Sequence, residues 1–123
     1  MHEQPAKEKS LDFAIRTMEA CRDLTSDRQS PDLIREFFNA GTGVGMYVRN
    51  AEGSPSKTEF LASMQAAYQK ARVADYWLRV LRAAGMLDED TCDAMLEDCD
   101  ALLRILGSSC KTLRSNLATK KAA

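Results

Sequence analysis

The chain has 123 residues, 45% of them hydrophobic and 28% charged, and its 17 basic and 18 acidic side chains leave a net charge of -1. That length and apolar content suit a single domain with its own core, and they exclude a disordered chain and a histone-like polycation. The single histidine is His2, so multi-histidine metal centres and histidine-based acid–base or nucleophile systems lack material.

The first ten residues are polar and of mixed charge, with no apolar leader stretch, and the residues from 1 to 9 read as a flexible arm. No segment is long and apolar enough to span a bilayer, so the sequence points to a cytoplasmic protein with no membrane contact. No strand pattern of weight occurs; four helical patterns do. The first runs from about Ser10 to Thr25, with Leu11, Ala14, Ile15, Met18, Cys21 and Leu24 read as its buried stripe. The second starts at Pro31, with Ser30 as N-cap, and carries Leu33, Ile34, Phe37 and Phe38 before continuing through Gly41, Gly43 and Gly45 to about Asn50.

The third pattern is the clearest. Ser56-Lys57-Thr58-Glu59 is a capping box placed directly before an apolar run. Phe60, Met64, Ala67, Ala71, Ala74, Leu78 and Leu81 then recur in steps of four and three, a heptad seam. Gly85 stands where a left-handed C′ residue ends a helix. Asp88 is the expected N-cap of the fourth helix, whose seam is Cys92, Met95, Cys99, Leu102, Leu106 and Leu113, with Leu96, Leu103, Cys110 and Leu117 beside it. Short connections make successive helices antiparallel neighbours. The expectation is an all-α, antiparallel up-down-up-down four-helix bundle over residues 10–117, with a disordered basic tail over 118–123.

Candidate chemistry is sparse. Gly41-Thr42-Gly43-Val44-Gly45 lacks the third Rossmann glycine (position 46 is Met46), a preceding strand and a Walker Gly-Lys; close helix packing or a kink is the better reading. Small residues there and at Ala67, Ala71 and Ala74 leave open a pocket for a small apolar ligand. Cys92 and Cys99 lie about 10 Å apart along a helix, too far to share one zinc. The four cysteines read as reduced, buried hydrophobes. Asp75 sits among Arg72, Arg79 and Arg82 in helical spacing, the pattern of a surface ion pair. No set of catalytic roles assembles, so the sequence predicts no enzymatic activity, no metal and no cofactor.

Charge is distributed unevenly. Residues 57–86 hold five bases and two acids, residues 88–106 seven acids and one base, and residues 107–123 four bases and no acid. An antiparallel third and fourth helix would set Arg79 and Arg82 beside the acidic start of the latter. Lys57, Lys70, Arg72, Arg114, Lys120 and Lys121 are the candidate contacts to RNA or DNA phosphates. Tyr47, Tyr68, Tyr76 and Trp77 exceed what one small bundle needs and belong either to an oligomer interface or to the core.

From Asn39 onward the chain resembles a known family. Gly41-Thr42-Gly43-Val44-Gly45, Arg49 and Ala51 are followed by Ser56-Lys57-x-Glu59-Phe60-Leu61, by Ala67 and Lys70-Ala71, and by Tyr76-Trp77-Leu78-x-x-Leu81 with Gly85. This is similar to the four-helix bundle family of 23S rRNA intervening-sequence proteins, over roughly Leu33 to Thr112. The family pattern has serine where Gly43 stands, asparagine for Tyr47, glutamate for Asn50 and Glu-Thr for Ala74-Asp75. The resemblance implies a cytoplasmic bacterial protein, a homopentamer of bundles and no established enzymatic activity. A related bundle family assists the reverse transcriptase of diversity-generating retroelements and binds nucleic acid, but is strongly basic, as this chain is not. The resulting expectation is a scaffold or adaptor with RNA, DNA or a nucleic-acid enzyme as partner; the alternative is direct nucleic-acid binding through the basic residues.

Overall fold

The computed structural model describes residues 3–122, with side chains from Pro5 to Thr119. Four helices follow one another: α1 (Glu3–Ser26), α2 (Pro31–Glu52), α3 (Lys57–Ala83) and α4 (Glu89–Ala122). Among the described residues there is no strand.

Local chemistry fixes the helix ends. The Ser30 hydroxyl accepts from the Leu33 N–H at 3.4 Å and Pro31 opens α2. The Ser56 hydroxyl accepts from the Glu59 N–H at 3.1 Å, which forms half of the expected capping box; no reciprocal bond to the Glu59 carboxylate occurs among the described residues. Asp88 caps α4 by accepting from the Thr91 N–H at 3.0 Å. Helix α3 ends in a Schellman motif: Gly85 has φ +68, its N–H donates to Arg82 O, and the Met86 N–H donates to Leu81 O. Helix α1 ends in the same way, with Arg28 in the left-handed position at φ 59 and the Gln29 N–H donating to Leu24 O.

The helices form a square. Each packs on its sequence neighbour, α1 also meets α4, and the backbones of the diagonal pairs α1/α3 and α2/α4 nowhere approach within 8 Å between Cα atoms. Contacts run in opposite chain directions within the pairs α1/α2 and α3/α4. Lys7 pairs with Glu52 at 3.3 Å while Cys21 lies against Ile34 O, and Arg82 reaches Asp93 while Cys99 donates to Ala71 O at 3.2 Å. The core is a column of side chains from all four helices, including Phe13, Phe37, Met64, Leu78, Met95 and Leu102, each at most 1% exposed. The heptad seam of α3 is buried as expected, apart from half-buried Phe60.

Three expectations need correction. The residues read as a flexible arm are helical from Glu3, and those read as a disordered tail continue α4 to Ala122. Of the expected buried stripe of α1 only Cys21 and Leu24 are buried; the rest of the inner face is Ala6, Ser10, Phe13, Thr17 and Ala20. Leu11, Ile15 and Met18 face solvent at 61%, 48% and 52% exposure. On α2, Phe38 is likewise exposed, unlike Phe37.

The cause lies in the glycines. Gly41 and Gly45 turn toward α1 so closely that a Cβ would stand 2.8 Å from Thr17 Cβ and 3.2 Å from Ser10 O. Only small residues fit against them, so α1 turns Ser10 and Thr17 toward α2, and Leu11, Ile15 and Met18 fall outward. Thr17 satisfies its buried hydroxyl by donating to Phe13 O at 2.8 Å. Gly43 faces α3 instead, where a Cβ would meet the Lys70 stem at 2.9 Å. The segment 41–45 is therefore packed helix, and it leaves no room there for the small apolar ligand.

Candidate functional site

The basic residues singled out in the sequence do not converge. Lys57 is exposed at the first turn of α3. The antiparallel register of α3 and α4 sets it at the same end of the bundle as exposed Arg114. Lys70 and Arg72 are two residues apart, about 200° around the helix: Lys70 lays its stem over Gly43 of α2, and Arg72 points away from it. The side chains of Lys120 and Lys121, like His2, lie outside the described residues.

One basic surface is nevertheless assembled. Between α3 and α4 a groove is lined by Gln65, Tyr68 and Gln69 on one side and Gly107, Lys111 and Arg114 on the other. Gly107 makes it possible: a Cβ there would stand 3.3 Å from Tyr68 Cε1, so the bare backbone seats the half-buried phenol ring. The sequence reading named Tyr68 and Arg114 separately and missed Gly107, Gln65, Gln69 and Lys111. A glycine inside a long helix, costing about 1 kcal/mol relative to alanine, was the available signal.

The aromatic set divides. Tyr47, Tyr68 and Trp77 are half-buried against the core. Tyr76 is 61% exposed and meets Trp77 edge-on, with centroids 5.6 Å apart and planes at 69°. Arg49 and Glu59 are exposed. Two apolar surfaces thus face outward. One carries Leu11, Ile15 and Met18 on α1; the other carries Val73 and Tyr76 on α3.

The acidic first turns of α4 meet α3 through one arginine. Arg82 binds Asp93 at 2.6 Å and Glu89 at 2.7 Å, and its hydrogen bond holds the Asp93 carboxyl below the ordinary aspartate range. Arg79 does not take part in this contact; it pairs within α3 with Asp75 at 2.9 Å. The four cysteines are free and buried. Burial pushes the Cys99 thiol up to about 12 and Cys21 up to about 11, and it raises Cys92 and Cys110 as well. The thiols are therefore protonated at neutral pH and poor nucleophiles. Among the described residues no group of three His, Cys, Asp or Glu could hold a metal ion, and no helix is long and apolar enough to cross a membrane.

No protein-family model matches the chain, and no curated protein matches it. The fold is nonetheless shared with a solved structure, a protein of unknown function from the S23 ribosomal protein family of Bacteroides thetaiotaomicron. The superposition has a TM-score of 0.85 at 24% identity, covering 90% of this chain and 99% of that one. The likeness is one of fold: an all-α four-helix bundle.

Proposed function

We propose that this protein is a non-enzymatic, oligomeric scaffold or adaptor of the cytoplasm, similar to the 23S rRNA intervening-sequence proteins, with RNA, DNA or a nucleic-acid enzyme as its partner. The observation that carries this reading is the pair of outward apolar surfaces on α1 and α3. Single exposed apolar side chains are ordinary; three at i, i+4 and i+7 on one helix form a continuous strip that favours contact with protein. The resemblance supplies the subunit number of five. Molar mass by light scattering, with 260/280 nm absorbance recorded on the same peak, tests both parts. A mass near five subunits with raised 260 nm absorbance supports the reading; a monomer with a protein-only spectrum overturns it.

The groove around Tyr68 favours a second reading, direct nucleic-acid binding. A seated aromatic ring offers a stacking platform, and Lys111 and Arg114 offer phosphate contacts beside it. Binding of a single-stranded RNA that weakens steeply with salt, and weakens further in Tyr68→Ala, supports it. Absence of binding at low salt removes it.

A further inference from the structure

We infer that copies of this chain join head to tail, the outer face of α1 of one copy lying against the outer face of α3 of the next. This deepens the oligomeric reading proposed above and rests on it. The argument begins with placement. Helices α1 and α3 occupy opposite corners of the square, with no Cα atoms within 8 Å of each other, so their solvent-facing sides point in opposite directions. Each is apolar there. Leu11, Ile15 and Met18 form the α1 face, and the α1–α2 register, fixed by Thr17 against Gly41 and Ser10 against Gly45, extends it. That register sets Phe38 level with Met18, and Met46 level with Leu11, and both are exposed. The α3 face is Val73 and Tyr76, with half-buried Trp77 and Val80 at its margin.

The faces differ in composition and in location, which decides the symmetry. A two-fold dimer buries the same patch on both partners and would leave the other face of each copy in water. A head-to-tail contact buries both, and repetition closes a ring. The charges at the margins agree. On the α4 side of the α1 face a surface hollow is lined by Lys9, Asp12, Arg16, Glu19 and Asp98; Arg16 pairs with Asp98 at 2.9 Å, which leaves two acids against one lysine. On the α4 side of the α3 face stand Arg72, one turn from Tyr68, and Arg79, which is paired with Asp75, so that Arg72 is the net base of this margin. Asp12, Glu19 and Arg72 make no ion pair among the described residues. When copies stand side by side around an axis parallel to their helices, the α4 sides of both faces fall on the same side of the contact. Asp12 and Glu19 then meet Arg72, a net negative margin against a net positive one, which favours this orientation over the reversed one.

Complementary variants test this. Leu11→Asp/Ile15→Asp removes the first face and Val73→Asp/Tyr76→Asp the second; all four positions are exposed, so circular dichroism and melting should show the bundle intact. Each variant alone should run as a monomer. Mixed one to one, they should form a dimer of twice the subunit mass, because each retains the face that the other lacks. A mixture that stays monomeric, or one variant that keeps the wild-type mass, overturns the head-to-tail contact while leaving an oligomer in place. A monomeric wild type overturns the oligomeric reading itself. Charge exchange is a second test that leaves the apolar faces intact. Asp12→Arg/Glu19→Arg and Arg72→Glu/Arg79→Glu should each weaken assembly several-fold by dilution, and mixing them should restore contact between unlike copies, in chains or even-numbered rings because a ring of five cannot alternate two kinds. Failure to restore it counts against the contact.

Discussion

Thr17 of α1 and Gly41 of α2 stand so close that a Cβ on residue 41 would lie 2.8 Å from Thr17 Cβ. The threonine is β-branched and fully buried, so it has no free rotamer into which to retreat. Gly41→Ala should therefore destabilise the fold by about 1–3 kcal/mol, despite alanine's better helix propensity. Thr17→Ala in the same chain should recover most of the loss. A double-mutant cycle by urea denaturation measures this coupling.

Gly43 is the contrast. Its nearest neighbour is the flexible Lys70 stem, which can swing aside. Gly43→Ala should be close to neutral or stabilising by up to about 1 kcal/mol, the propensity difference itself. The same urea series reads it, and a loss matching that of Gly41→Ala would contradict the distinction.

Arg28 occupies a left-handed position that Gly85 fills at the equivalent end of α3. A non-glycine residue there costs about 1–2 kcal/mol, offset in part by the greater freedom of glycine in the unfolded chain. Arg28→Gly should raise stability by about 1 kcal/mol, seen as a higher urea midpoint at unchanged slope.

The Arg82–Asp93 contact should be acid-sensitive. The folded carboxyl lies below its ordinary value of 3.8, held there first by the hydrogen bond from Arg82. The folded state thus binds that proton less readily. The stabilisation is complete above the ordinary value and is lost as pH falls through the lower, folded one. Arg82→Gln should be less stable than wild type at neutral pH, and the difference should shrink below pH 3.8. A difference that is constant with pH would mean that the guanidinium acts only through packing.

Cys99 should make the fold alkali-sensitive. Its folded value of about 12 stands above the ordinary 9.0, so the folded chain holds the proton more tightly. Stability from this group is complete below 9.0 and declines as pH rises toward 12. Cys99→Ala should flatten that decline while lowering stability at neutral pH through the lost Sγ packing. Guanidine melts across alkaline pH show the change in slope.

Legibility in the sequence followed the periodicity. The seam of α3 was readable because Met64, Ala67, Ala71, Ala74, Leu78 and Leu81 keep a heptad, although Val73, Tyr76 and Val80 form a second apolar row on the same helix. Helix α1 was misread because Leu11, Ile15 and Met18 outweigh Ser10 and Thr17 on any hydropathy scale; only the glycines of α2 reverse the choice. Apolar size alone gives the wrong face wherever the partner helix leaves no volume. The caps were legible, being local: Ser30, Ser56 and Asp88 all accept the bonds expected of them. The Tyr68–Gly107 groove was not, because it depends on the register of two helices that no local pattern encodes.

The square of helices also bears on how the chain is made. Helix α1 packs on α2, α2 on α3 and α3 on α4, while the α1–α4 seam is the least extensive of the four. Each helix after α1 therefore leaves the ribosome with a principal partner already synthesised. Three helices can gather into a trough in the order of translation, and α4, arriving last, needs only to lay Met95, Cys99, Leu102 and Leu106 along its floor. With so few distant segments to search for, the nascent chain escapes the slow pairing that exposes other folds to aggregation.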